Sequence, residues 1–342
     1  MNNDRKSVLK QRFYNDVEEI SKDLIAAYSL RFKQEVPELS QATMRWLDFR
    51  FRYVDPMPRP VVLSDRFPKS GLPRATRDAL KQFVQRVESG GDLNPYQGKG
   101  LSLHNDFSGD KKGRRTDLLW AEWGIHHFHL STDPLPHDEY FSPRADYLAF
   151  CLVGGNVLAV IDVLPHGTTS DFANPELIRT VARNWPDVMS PFELKGMMPT
   201  DRTWTQNEIH QLRAAGLIIP ISLHNSMYMG PGGGLTSAAT SLKVGKACDY
   251  LFDCLEVLAE EVADNNGLFR TPEIMALDVE PDFCLAITPA GLCVYESHVD
   301  LAFKLPLPEH DKKETVFQTI HNLVLPPWAC QNLMKRAGLT SK

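Results

Sequence analysis

The sequence predicts an α+β protein with a helical N-terminal region, a central antiparallel sheet and a C-terminal α+β region. Three observations support this class. Apolar residues near the N-terminus recur with the three-four spacing of an amphipathic helix. Two nearly continuous apolar segments in the middle of the chain are joined by Gly154-Gly-Asn156, which is typical of a tight hairpin. A second long amphipathic pattern covers about residues 237–263.

The chain of 342 residues is longer than one ordinary domain. We expect three regions, separated at a glycine pair and after Pro199. They are a helical N-terminal region at 1–92, a central sheet region with a histidine cluster at 93–195, and a C-terminal α+β region at 196–342.

The N-terminal region is expected to form three helices. They cover about residues 5–35, 41–53 and 74–88. The proline-rich stretch 55–60 ends the second helix, because proline has no backbone N–H to donate. A short extended segment follows at Val61 to Leu63, and Gly90-Gly91 ends the third helix.

The central region reads as three strands followed by a helix. The strands cover about residues 124–131, 146–153 and 157–164. The last two are apolar on both faces, so we expect their hairpin to lie in the middle of a sheet that is covered on both sides. Asn174 and Pro175 then start a helix, as N-cap and first-turn residue.

The C-terminal region alternates helices with hairpins. We expect a helix at about 205–215, a hairpin at 217–229, the long helix, a second hairpin at 283–299 and a helical segment after Pro326. The apolar face of the long helix is either core or a partner interface.

Composition restricts the class of protein. A net charge of −6 and a pI near 6.0 argue against a broad nucleic-acid-binding surface. The six cysteines are scattered with no C-x-x-C pair, which indicates reduced core thiols. The charged helical N-terminus resembles neither a signal peptide nor a membrane span. We therefore expect a cytoplasmic protein that does not bind membranes.

The most informative local feature is a cluster of histidines. Six of the eleven histidines lie between His104 and His166. In a strand, side chains alternate between faces, so His127 and His129 share one face. His126 points to the other face, where we expect a structural role. An imidazole exchanges protons near neutral pH and is a common metal ligand.

Two functions are open for the pair His127 and His129. They can bind a phosphate and act as acid and base, or they can hold zinc or another transition metal. A metal needs a third ligand, and the alternative metal set is His127, His129 and His137. Further candidate ligands are Asp138, Glu139, His104 and His166. Any single one of these histidines is alternatively a hydrogen-bonded core residue.

Two residues of the neighbouring hairpin complete the candidate catalytic set. His166 follows the last apolar strand, and Arg144 precedes the strand before it. If the three strands are adjacent, both side chains come near the histidine face, where they supply an imidazole and a guanidinium for phosphate. Arg144 alternatively pairs with Asp146 or Glu139. The candidate catalytic residues are thus His127, His129, Arg144 and His166.

The densest positive charge lies in the polar loop at about 94–116. Its candidate phosphate-binding residues are Lys111, Lys112, Arg114 and Arg115. The alternative is a solvated loop without a ligand.

A helix and a basic loop are followed by Asp117-Leu-Leu-Trp120, by the strand Gly124 to Ser131 and by the Gly154-Gly155 hairpin, which extends from Arg144 to His166. In this order of elements, the segment from about residue 75 to 190 resembles the RelE/ParE-type toxin fold. Many members of that family cleave RNA, and such ribonucleases work without metal through Arg, Lys, Tyr, His or Glu side chains. By position, the resemblance implies these roles for the four candidate catalytic residues and for Tyr147.

Three hypotheses follow for the function. The first is a metal-independent endoribonuclease, or a related phosphodiester-cleaving toxin-like protein, without a cofactor and with RNA as its partner. The second is a histidine-coordinated metal hydrolase or metal-binding protein. The third is a non-enzymatic module that binds an antitoxin or another protein in a toxin–antitoxin or defence assembly.

Overall fold

A computed structural model shows how these elements are arranged. It describes residues 2–32, 39, 41–104, 115–132, 135, 137, 139–167, 169–223, 225–305, 314–336 and 338. The chain forms two compact units. The central unit includes the described parts of 51–243, and the terminal unit includes the described parts of 1–32, 39–50 and 244–342.

The elements confirm the α+β class. The helices are α1 (Asn2–Ala27), α2 (Ala42–Arg52), α3 (Arg74–Glu88), α4 (Gly100–Leu103), α5 (Leu118–Trp123), α6 (Pro175–Asn184), α7 (Pro186–Met189), α8 (Gln206–Ala214), α9 (Leu242–Ala263), α10 (Pro272–Met275), α11 (Glu314–Val324) and α12 (Pro327–Arg336). The strands are β1 (Val61–Leu63), β2 (His126–His129), β3 (Tyr147–Val153), β4 (Leu158–Pro165), β5 (Ile221–Leu223), β6 (Ser226–Tyr228), β7 (Phe283–Thr288), β8 (Gly291–Glu296) and β9 (Leu301–Lys304).

A four-stranded sheet forms the centre of the central unit. Its strand order is β1-β4-β3-β2, with β1 parallel to β4 and the other two pairs antiparallel. The register of β3 against β4 shifts between Phe150 and Cys151, which marks a β-bulge. The predicted hairpin is therefore confirmed, and it occupies the two inner positions of the sheet.

Apolar layers cover both faces of this sheet, as the sequence predicted. On one face α3 contributes Leu80 and Phe83 to a cluster with Phe128 and Cys151. On the other face Leu177 of α6 packs with Phe150 and with residues of α5, α8 and β5. Burial of both faces explains why β3 and β4 read as nearly continuous apolar runs.

Capping residues in the local sequence determine where several helices begin. Asn174 caps α6, because its side chain accepts the backbone N–H of Glu176, and Pro175 is the first helical residue. Thr205 and Glu208 form a capping box at α8. Asp117 caps α5 by accepting the backbone N–H of Trp120, and this aspartate also reaches the candidate site.

The terminal unit joins segments that lie far apart in the sequence. Helix α1 packs against β7 of the sheet β7-β8-β9, and Asp16 accepts the backbone N–H of Leu285. This packing makes the unit boundaries differ from the three consecutive regions expected from the sequence. Strand β9 and helix α11 were not predicted from the sequence. Among the described residues, no helix has the length and apolar character needed to cross a bilayer.

Strand β2 provides a direct test of the fold. The Phe128 ring is fully buried, and its centroid lies 5.2 Å from that of Phe83 in α3. We expect Phe128→Ala to lower the free energy of unfolding by about 3–5 kcal/mol, because it removes buried surface and leaves a cavity. Urea denaturation followed by circular dichroism measures this change.

Val62→Ala serves as the control, since Val62 lies on the edge strand β1 and is 38% exposed. It should change the free energy of unfolding by less than about 0.5 kcal/mol. Equal losses in the two variants would contradict the described position of β2.

Candidate functional site

The candidate site begins with the side-chain alternation of β2. Strand β2 pairs antiparallel with β3, with His127 opposite Phe150 and His129 opposite Leu148. His126 is buried on one face of the strand, whereas His127 and His129 are half-buried on the other face. The predicted separation of the three histidines into two faces is confirmed.

His127 and His129 line a cavity of about 470 Å³ in the central unit. A pocket of this size is typical of small-ligand sites. The lining residues are Arg52, Gln97, Gly98, Lys99, Gly100, Asp117, His127, His129, Glu139, Phe141, Ser142, Pro143, Arg144, His166 and Phe172. The structure thus brings together all four candidate catalytic residues.

Arg144 and His166 are in direct contact just beyond the open end of the hairpin formed by β3 and β4. Arg144 Nε lies 3.1 Å from His166 Nε2, and Arg144 Nη2 lies 3.2 Å from His166 Nδ1. A neutral imidazole has one acceptor nitrogen, so only one of these contacts is a hydrogen bond to the ring. Burial and the Arg144 charge lower the pKa of His166 below its ordinary value.

The ring of His129 lies beside that of His166, with 5.5 Å between their centroids. Ala145 donates its backbone N–H to Nδ1 of His129 at 3.4 Å. Because Nδ1 accepts, the proton of the neutral ring is on Nε2. Burial, followed by the charges of His127, His166 and Arg144, lowers the pKa of His129 to about 3. His129 is therefore a neutral hydrogen-bond donor at physiological pH.

A glycine leaves space at the donor nitrogen of His129. Gly98 has a φ of +91°, in the region that favours glycine. A Cβ at this position would lie in van der Waals contact with His129 Nε2, at 3.4 Å, and would occupy space next to the donor.

His127 is held by a carboxylate and an aromatic ring. Its Nδ1 lies 3.4 Å from Asp117 Oδ2, and both side chains are largely buried. The Phe172 ring packs edge-on against His127 with 4.9 Å between centroids. Asp117 is positioned to orient the imidazole and to stabilise an imidazolium, as the carboxylate does in catalytic triads.

The segment that carries Phe172 is fixed by a buried ion pair. Arg213 of α8 pairs with Glu122 of α5, and its Nη1 donates to the Phe172 carbonyl at 2.7 Å. Phe172 also approaches His166, with 6.5 Å between ring centroids. The packing of α8 and α5 therefore positions the aromatic wall of the cavity.

His126 has a structural environment, as we expected. It is buried, and its Nδ1 lies 3.4 Å from Gln97 Oε1. Burial and the nearby Arg52 charge lower its pKa to about 3. His126 links β2 to the segment around Gln97 and stays neutral.

Several predicted site residues are not part of this arrangement. Lys111, Lys112 and Arg114 lie outside the described residues. Arg115 is described and donates to the Ala214 carbonyl at 3.3 Å, but it is not among the residues that line the cavity.

The predicted alternative metal set is not assembled. His137 is exposed and does not belong to the cavity lining. Within the described ranges, no group of three His, Cys, Asp or Glu side chains is positioned to hold a metal ion. The set of His127, His129 and His137 is therefore not brought together, and metal chemistry at other ligands stays a hypothesis.

Sequence reasoning did not select Asp117, Arg52 or Phe172. Asp117 carries the local signal of a helix N-cap, and this signal does not reveal its contact with His127. Arg52 and Phe172 reach the cavity from segments that are far apart in the sequence. Only tertiary packing brings them together.

Comparisons with models of protein families, with curated proteins and with solved structures find no match to this chain. The resemblance to RelE/ParE-type toxins therefore stays a prediction.

The pKa values of His126 and His129 predict how stability depends on pH. Each pKa is about 3 in the folded protein and about 6.5 in an unperturbed side chain. Between pH 6.5 and 3 the unfolded chain binds more protons, so the free energy of unfolding falls as pH falls. The slope is up to about 1.4 kcal/mol per pH unit for each histidine, and this contribution is constant above pH 6.5.

His129→Asn removes one of these two groups, so urea denaturation between pH 6 and 4 should show a smaller slope than in the wild type. His210→Asn on α8 is the control, because His210 does not line the cavity. An unchanged slope in His129→Asn would show that His129 is not held neutral.

Proposed function

We propose that this protein is a metal-independent ribonuclease that cleaves a phosphodiester bond in the cavity at His127, His129, Arg144 and His166. One observation carries the proposal. Three imidazoles in different electrostatic environments line the same cavity as a guanidinium. Groups whose environments separate their proton affinities are suited to act as acid and base in one reaction.

The base in this proposal is His166. Its lowered pKa keeps the ring neutral at physiological pH, and Arg144 occupies its acceptor nitrogen in the absence of substrate. A phosphate is a stronger acceptor for a guanidinium than a neutral ring, since both partners are charged. Phosphate binding therefore draws Arg144 to the substrate and releases the His166 nitrogen to take the proton of a ribose 2′-hydroxyl.

The acid is His127, whose imidazolium form is stabilised by Asp117. The 2′-oxygen attacks the phosphorus, the bond from phosphorus to the 5′-oxygen breaks, and His127 protonates the departing oxygen. The products are a 2′,3′-cyclic phosphate and a free 5′-hydroxyl. His129 Nε2–H and Arg144 donate to the phosphate oxygens, on which negative charge accumulates.

The overall negative charge of the chain is compatible with this substrate. The chain carries a net charge of −6, yet the cavity lining contains Arg52, Lys99 and Arg144. Binding in the cavity requires positive charge there and does not require a basic surface over the whole protein. The resemblance to RelE/ParE-type toxins agrees with this proposal.

Substitution of the histidines tests the reaction. We expect His127→Ala and His166→Ala to slow cleavage of a single-stranded RNA by about 10²–10⁴-fold, because each removes a proton-transfer group. His129→Ala should slow it by about 10²–10³-fold, because it removes one donor to the transition state. The assay contains EDTA and detects the cyclic phosphate by mass spectrometry.

His210→Ala is the matched control and should cleave at the wild-type rate. A substrate with 2′-O-methyl groups throughout should remain intact. The proposal is wrong if the wild type does not cleave RNA with EDTA present, or if all three cavity variants retain full activity.

Asp117→Asn separates the two roles of Asp117. Asparagine is as good an N-cap as aspartate, so α5 and the free energy of unfolding should change little. The loss of the carboxylate next to His127 should lower kcat by on the order of 10²-fold with a small change in KM. Steady-state kinetics together with thermal unfolding measure both effects. A normal kcat in Asp117→Asn would show that His127 is not the acid.

A further inference from the structure

Arg52 provides a second positive charge in the cavity that the proposed reaction does not use. It is the last residue of α2, lines the cavity and is only 4% exposed. Its Nη1 donates to the Gly100 carbonyl at 3.1 Å. Its own backbone carbonyl accepts Gln97 Nε2 at 2.9 Å, which fixes the end of the helix against the cavity wall.

The Arg52 guanidinium is poorly satisfied by the protein. In the part of the chain that the structure describes, no acidic side chain forms an ion pair with it, and Gly100 O is its one hydrogen-bond acceptor. Arg59 is similarly buried, yet its guanidinium donates to three backbone carbonyls, of Asp55, Met57 and Gly154. A buried guanidinium that has neither a counter-ion nor a full set of acceptors favours an anionic ligand.

The carboxylates of the cavity lining are engaged elsewhere. Asp117 lies against His127, and Glu139 pairs with Lys99 at 3.0 Å. Neither carboxylate forms an ion pair with Arg52. The cavity therefore contains two guanidinium groups that can bind anions, Arg52 and Arg144.

The two guanidinium groups are held at different parts of the cavity lining. Arg144 contacts His166, next to the face of β2 that carries His127 and His129. Arg52 is held by Gly100 O and by Gln97, and Gln97 Oε1 contacts His126 on the other face of the strand. One phosphate bound by Arg144 at the reacting imidazoles thus leaves Arg52 available for another anion.

We propose that Arg52 binds a second phosphate of the same RNA strand, next to the one that is cleaved. This inference rests on the proposed ribonuclease function. It defines the substrate as single-stranded RNA in which the nucleotide in the cavity carries a phosphate on both its 5′ and 3′ sides. A cavity of about 470 Å³ suits one such nucleotide, and a base-paired duplex does not fit.

Binding of short DNA tests this inference without cleavage, since DNA has no 2′-hydroxyl. Three probes are compared. The first is a thymidine dinucleotide whose only phosphate is the internal one. The other two carry one additional phosphate, at the 5′ end or at the 3′ end. Isothermal titration calorimetry measures the dissociation constants. For the wild type we expect one of the two added phosphates to tighten binding by about tenfold.

Arg52→Gln should reduce this gain to less than about twofold, while the affinity for the unphosphorylated dinucleotide stays near that of the wild type. Arg59→Gln is the control for loss of a buried arginine and should keep the tenfold gain. Circular dichroism and thermal unfolding of both variants confirm that they are folded. If Arg52→Gln does not fold, Arg52→Lys replaces it and should give an intermediate gain.

Two results overturn the inference, namely no gain from either added phosphate in the wild type, or a gain that persists in the Arg52 variant. Neither result depends on cleavage. If the protein cleaves RNA but an added phosphate does not tighten binding, the proposed function is retained and the second phosphate site is rejected. If an added phosphate tightens binding through Arg52 but the protein does not cleave RNA, the second phosphate site is supported and the ribonuclease function is rejected.

Discussion

The pairing of β2 with β3 is the constraint on which the rest of the site depends. Side chains of a strand alternate with a period of two, so a register shift of one residue would exchange its faces. In the observed register Phe128 enters the core beneath α3, and His127 and His129 face the cavity. The burial of the Phe128 ring thus fixes the register in which the imidazoles of His127 and His129 line the cavity.

Desolvation, more than direct ion pairing, separates the properties of the histidines. Burial is the largest cause of the lowered pKa at His126, His129 and His166. At His127 the distinguishing contact is the Asp117 carboxylate, which lies 3.4 Å from its Nδ1. The four histidines therefore differ in their surroundings, and the acid and base roles that we propose depend on these differences.

Local patterns were sufficient to predict β2, β3 and β4 and the proximity of the four candidate catalytic residues, but not the parallel pairing of β1 with β4, which departs from the antiparallel sheet that we expected. The apolar runs, the Gly154-Gly-Asn156 turn and the alternation in β2 are all short-range signals, and they placed His166 and Arg144 near the histidine face. Contacts between segments that are distant in the sequence leave no comparable short-range pattern. The sequence therefore did not predict that Arg52, Asp117 and Phe172 line the cavity, nor where the two units begin and end.

The terminal unit is built from segments at both ends of the sequence, which affects the order in which its contacts can form during protein synthesis. Asp16 of α1 and its partner Leu285 are 269 residues apart. At about 5–20 residues per second, the ribosome needs roughly 13 to 54 seconds to reach that partner. The residues of the central unit precede residue 244, so they are synthesised before that partner. The part of α1 that packs against β7 therefore remains without this native contact until the C-terminal segment has been synthesised, whereas Glu18 of α1 can already accept the backbone N–H groups of Ala42 and Thr43.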